Sequence, residues 1–87
     1  MTVTTVRSAL FALFEARDDT ATVCPSEVAR AVARLRGAPE DWRSAMPEVH
    51  AAVDDMVRDG SVALSWKGAR LATRAGPYRL NRRPPPS

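Results

Sequence analysis

The sequence predicts a mainly α fold with a small β-hairpin: a winged helix-turn-helix of three helices plus a C-terminal wing. Three observations predict it. Apolar residues recur at helical spacing in three separate segments, turn-forming residues close each of them, and the last third changes to strand alternation and positive charge. A chain of 87 residues makes one domain with one core, burying roughly 60–65% of its unfolded surface. The domain is expected over residues 1–81, with an extended, mobile Arg/Pro-rich tail at 82–87.

The first stripe is Val3, Val6, Leu10, Leu13 and Phe14. Its spacing puts all five on one face of a helix from about Thr4 to Arg17. Asp18-Asp19 end that pattern, and Thr20–Val23 is a short β-capable piece. Cys24-Pro25-Ser26-Glu27 reads as the start of the second helix. Proline has no N–H to leave unsatisfied at the first helical position, and Glu27 can bond back to the cap and meet the positive end of the helix dipole. Val28, Val32 and Leu35 form the expected buried stripe, and Gly37 suits a left-handed stop. Ala38–Asp41 reads as a turn, followed by a short helical turn at Trp42–Ala45.

The third stripe, Met46, Val49, Val53, Met56 and Val57, occupies a narrow sector when wound at about 100° per residue. It predicts a helix from Pro47 to Asp59 that ends at Gly60. Val62, Leu64 and Trp66 then alternate with Ser61, Ala63 and Ser65, the pattern of a half-buried strand. Lys67–Gly76 is expected as a basic loop bounded by glycines. Pro77–Asn81 is expected as the returning strand, with Tyr78 and Leu80 facing one way and Arg79 the other. The second and third helices make the helix-turn-helix and the hairpin makes the wing. The expected core is Leu10, Leu13, Phe14, Val28, Val32, Val53, Val57 and Trp66.

The net charge of +3 hides an asymmetry. Residues 1–60 hold seven Arg against ten acids, leaving −3, while residues 61–87 hold six basic residues and no acid. Such a split points to a polyanionic partner. The third helix, the usual reader of the major groove, carries Glu48, Asp54, Asp55 and Asp59 with Arg58 as its one fixed positive charge. It has no Arg, Lys, Asn or Gln near its start for base readout. The wing is the better candidate: Lys67, Arg70, Arg74, Arg79, Arg82 and Arg83 can neutralise phosphates without reading sequence.

Chemistry is not indicated. One cysteine forms no internal disulfide and fits a reducing compartment, so a cytoplasmic location is expected. Cys24 reads as a structural residue in place of a Ser or Thr cap, and His50 as a packing or surface residue. One Cys and one His do not supply the four ligands of a structural zinc site. Phosphate-cradling glycine loops and paired catalytic motifs are absent. No catalytic, cofactor-binding or metal residues are therefore assigned, no cofactor and no small-molecule substrate is indicated, and an enzyme is not expected. The apolar run Ala9–Phe14 is too short to span a bilayer and lacks the flanks of a signal peptide, so no membrane partner is expected. Trp42 and Trp66 read as core residues rather than a base-stacking platform, Trp66 because it keeps the strand's inward phase. Arginine outnumbers lysine twelve to one, as in proteins of GC-rich genomes.

The run Cys24-Pro-Ser-Glu-Val-Ala-Arg-Ala-Val32, with Trp42-Arg43, Met46-Pro47, Gly60, Lys67-Gly68 and Gly76-Pro-Tyr-Arg-Leu80, resembles a small bacterial domain-of-unknown-function family of winged-helix type. The resemblance covers residues 5–83. It implies the fold, a small stand-alone protein and no established activity. Where members of that family often carry an Asp-Pro pair before Gly76, this chain has Leu71-Ala72-Thr73. The function expected from the residues is contact with nucleic-acid backbone through a basic wing, with little base readout. The alternative is a protein-interaction or self-association module on the same fold that binds no nucleic acid.

Overall fold

The three apolar stripes each become a helix in the computed structural model, which describes residues 2–18, 21–74 and 76–82. Helix α1 spans Thr2–Glu15, α2 Pro25–Leu35 and α3 Met46–Arg58, with a 3-10 helix over Pro39–Ala45 between the last two. Strand β1 is Thr22–Val23, β2 Val62–Trp66, β3 Ala69–Leu71 and β4 Arg79–Arg82. The strands form one antiparallel sheet in the order β1-β4-β2-β3. This is a winged helix-turn-helix arrangement.

Local chemistry sets the helix ends. Cys24 is extended and Pro25 takes the first position of α2. The Cys24 backbone N–H donates to the Glu27 carboxylate at 3.2 Å. Arg17 also pairs with Glu27, joining the end of α1 to the start of α2. Both α2 and α3 stop in the same way. Gly37 and Gly60 have φ of 77° and 82°, a conformation glycine adopts without a Cβ clash. The residues after them reach back, Ala38 N–H to the Ala33 carbonyl at 3.0 Å and Ser61 N–H to the Met56 carbonyl at 2.9 Å. These bonds satisfy carbonyls that a helix end leaves open.

The core lies between the helices and one face of the sheet. Val6, Leu10 and Phe14 of α1, Val28, Ala29 and Val32 of α2, and Val49, Val53 and Met56 of α3 are buried. They meet Val23, Val62, Leu64 and Leu80 from three strands. Strand register aligns Val23, Leu80, Leu64 and Leu71 in one row across all four strands. Leu13, Val57 and Leu71 are half-buried against this core. The Val3 side chain and Thr20 lie outside the described residues.

Three expectations are corrected. Leu35 is 68% exposed. The buried sector of α2 is centred on Ala29 and Val32, so Leu35 falls at its edge, in the last turn, past the body of the core. Trp66 is 38% exposed. It keeps the inward phase of β2, but the β4 pairing ends one residue earlier, at Ser65↔Arg79, so it lies at the rim of the core and is only partly covered. The segment Lys67–Gly76 is not all loop: β3 forms inside it and pairs with the free edge of β2. The returning strand starts at Arg79 and reaches Arg82; residues 83–87 of the expected tail are outside the described residues.

Phe14→Ala should lower the free energy of unfolding by about 3–5 kcal/mol, whereas Trp66→Ala, at a half-covered site on the rim, should lower it by about 1 kcal/mol, the average cost of a substitution. Urea denaturation of the two variants checks both values. Equal losses would place Trp66 in the core.

Candidate nucleic-acid interface

Period-2 alternation gives the sheet two unlike faces. The inner face is the apolar row just described. The outer face carries Arg79, Ser65 and Arg70 in a second row, because Ser65 pairs with Arg79 on one side and Arg70 on the other. Neighbouring strands lie about 4.8 Å apart, so the two arginine backbones stand roughly 10 Å from each other across β2. The next row on this face is Thr22, Asn81 and Ala63. The Ser65 hydroxyl donates to Asn81 Oδ1 at 2.7 Å. Arg79 is held by β1, its Nη2 donating to the Thr22 carbonyl at 3.3 Å and its Nε to the Thr22 hydroxyl. The outer face therefore combines cations with hydroxyl and amide groups, and no carboxylate lies on any of the four strands.

The β2–β3 turn is Lys67-Gly68, with φ of 50° and 82°. Two positive φ values in a two-residue hairpin make a type I′ turn, whose twist suits the flanking strands and which favours Asn-Gly. Lys67 is the only non-glycine residue with positive φ among the described residues. It sits at the apex of the wing at a steric cost that Asn or Gly would largely avoid. Residues 66–70 are all exposed.

The six basic residues singled out in the sequence have different fates. Lys67 and Arg70 stand at the apex with no carboxylate within ion-pair distance among the described residues, and Arg79 stands on the outer face bonded to Thr22, near enough to Glu27 for its charge to help hold that carboxyl low. Arg74 turns back to α3 and makes a bidentate pair with Asp54 at 3.0 and 3.1 Å. Arg82 pairs with Glu15 and lies over the Phe14 ring, 5.9 Å from its centroid. Arg83 lies outside the described residues.

The acidic face of α3 is neutralised in the same way. Glu48 takes both Arg36 guanidinium nitrogens, one at 2.7 Å. Asp55 pairs with Arg58 at 2.9 Å, and Asp59 with Arg7 at 2.6 Å. Hydrogen bonds from Arg36 and Arg74 hold the Glu48 and Asp54 carboxyls below their ordinary range. Ser61 and Arg7 together bring Asp59 from 3.8 down to about 2. The helix that would enter a major groove thus presents carboxylates already bound to arginines of this chain.

Cys24 is half-buried, its sulfur 3.2 Å from the Ser26 hydroxyl. His50 is half-buried with Nδ1 2.6 Å from the Tyr78 hydroxyl. Burial pushes the imidazole down and the phenol up, an arrangement in which the hydroxyl donates to neutral Nδ1. With Asp54–Arg74 this contact fastens the segment before β4 to α3. Between them opens a groove of about 510 Å³ whose floor is Val57 and Leu64. Trp42 is half-buried against the core, with the Arg30 and Arg43 guanidinium carbons each 4.5 Å from its ring centroid. The Arg30 contact pins the 3-10 helix to α2, while Arg43 covers the ring from within the 3-10 helix itself. Sequence reasoning missed Ser65, Asn81 and Thr22 as parts of the outer face, because their proximity comes from register alone. Among the described residues no three His, Cys, Asp or Glu side chains gather as a metal site, and no helix is long and apolar enough to cross a membrane.

A family model described as a protein of unknown function, DUF3253, matches residues 4–83. The chain belongs to that family. No curated protein matches it. The DUF3253 match takes in all four strands, together with α2, α3 and the Lys67-Gly68 apex. The family description states no activity, so the geometry carries the functional argument.

The depressed carboxyl values predict an acid-labile fold. A carboxyl that titrates lower in the folded chain than in the unfolded one contributes stability that is complete above its unfolded value and lost as pH falls toward its folded value. For Asp59 that window runs from 3.8 down to about 2. Urea midpoints should fall as pH drops through it, and Asp59→Asn should flatten the lowest part of the curve. A midpoint independent of pH over that window would remove these ion pairs from the account.

Proposed function

We propose that this protein is a non-enzymatic nucleic-acid-binding domain that contacts the phosphate backbone through the outer face and apex of its wing, with little readout of base edges. The observation that carries this reading is the sorting of charge. Carboxylates along α3 are each bound to an arginine, while Lys67 and Arg70 at the apex and Arg79 on the adjoining outer face stand on a sheet whose four strands carry no acid. Cations in that state are available to displace counterions from phosphates. The lysine at the apex supports the reading, since its left-handed backbone is a strained position kept for a charged side chain. The edge strand β3 is three residues long with Arg70 at its centre, features that discourage edge-to-edge pairing with a second copy. A binding role is further supported by the two residue types most often used for chemistry, since Cys24 caps a helix and His50 bonds Tyr78. A cytoplasmic location belongs to the same proposal.

Binding to duplex DNA of mixed sequence should be micromolar or weaker at physiological salt and nearly indifferent to sequence. Three phosphate contacts give a log–log salt slope of about −2.7 on duplex, at ~0.9 per phosphate. Replacing Lys67, Arg70 and Arg79 together with Ala should abolish binding. Lys67→Asn should reduce the slope by about 0.9 while stabilising the turn. Arg74→Ala should leave the slope unchanged, because Arg74 is already paired. Fluorescence anisotropy across a salt series measures all four. Wild-type affinity in the triple variant, or no binding at low salt, would contradict the proposal.

A further inference from the structure

We propose that Trp66 stacks on an unpaired nucleobase, so that the preferred ligand of the wing is single-stranded rather than duplex nucleic acid. This rests on the nucleic-acid reading above and adds the substrate class.

Trp66 is the last residue of β2, and it is one of two large apolar side chains exposed among the described residues. The other, Leu35, ends α2 and has no ring. Across the hairpin Trp66 faces Ala69, a methyl side chain that covers little of an indole. Along its own strand Leu64 already fills the last core position. The fold thus covers part of the ring and leaves the rest open to solvent, while its immediate sequence neighbour is Lys67 and Arg70 lies one rung away, paired with Ser65.

An indole next in sequence to cations that pair with no carboxylate among the described residues is the combination that single strands use. Cations track the backbone and an aromatic ring takes a base by its face, in a manner tolerant of sequence. In a duplex both faces of each base are covered by stacking, and only edges are open in the grooves. The element that would read those edges, α3, has its solvent-face carboxylates locked to arginines. Ring and cations also stand on different sides of the hairpin. Trp66 keeps the inward phase and Arg70 the outward one, with Lys67 at the turn between them. A flexible strand passing round the apex can set phosphates on Arg70 and Lys67 and turn a base onto Trp66. A stiff duplex cannot follow that path without bending.

The test uses the full chain, a labelled oligo-dT of roughly 12 nucleotides and a duplex of equal length. Anisotropy is read at one low salt concentration and across a salt series, with circular dichroism confirming that each variant is folded. Oligo-dT should bind more tightly than duplex. Trp66→Ala should weaken oligo-dT binding about 5- to 150-fold and leave duplex binding and both salt slopes unchanged. Trp66→Phe should recover most of the loss. Lys67→Ala with Arg70→Ala should instead lower the single-strand slope by about 1.4, at ~0.7 per phosphate. If Trp66→Ala binds oligo-dT like the parent while the Lys67/Arg70 change loses it, stacking is refuted and the backbone reading stands. If no oligonucleotide binds at low salt, both fail. If Trp66→Ala instead abolishes a self-association seen by sedimentation in a chain that binds no oligonucleotide, the indole covers a second copy and the proposal is overturned.

Discussion

The structure depends on one strand register. Leu64 pairs with Leu80 on one side and Leu71 on the other, and Leu80 pairs with Val23. That row is the floor on which the helices pack. Because side chains alternate with a period of two, the same register sends Arg79, Ser65 and Arg70 to the opposite face. A slip of one residue would bring two guanidinium groups into the core and put four apolar side chains in water, a change far too costly for a domain of this size. Core and candidate interface are thus two sides of one constraint.

The second organising fact is the pairing of charges between distant parts of the chain. Arg7 reaches Asp59, Arg82 reaches Glu15 and Arg74 reaches Asp54. Each pair is partly exposed, so each adds little stability by itself. Their larger effect is on the surface potential. Acids of α3 that would repel phosphate are each held beside a guanidinium, and the excess of positive charge concentrates at the apex and outer face of the wing. In the proposed function the helix-turn-helix serves as a scaffold for the hairpin, the reverse of the usual division in which the helix reads and the wing assists.

Much of the fold was legible in the sequence. Helical spacing located three helices, and Cys24-Pro25-Ser26-Glu27 and the glycines at 37 and 60 located their ends, because these are local effects of backbone sterics and hydrogen bonding. Alternation in Val62–Trp66 located β2. Strand β3 was not legible, since Ala69-Arg70-Leu71 is too short to show a period and Lys67-Gly68 is not the dipeptide that announces a type I′ turn. Trp66 was misplaced because phase says which way a side chain points and not how far the core extends beneath it. The candidate site was legible as a count of charges but not as an arrangement. A charge count cannot separate Arg70, free at an apex, from Arg74, tied to a carboxylate twenty residues away in the chain.

The central claim is that the wing, and not α3, meets nucleic acid. It is tested most directly by recording backbone amide and indole resonances of isotopically labelled protein during titration with a short oligonucleotide. The account predicts shifts confined to residues 63–71 and 79–82, including the Trp66 indole N–H, with the amides of Met46–Arg58 unmoved. Shifts centred on Met46–Arg58 with a silent wing would contradict it.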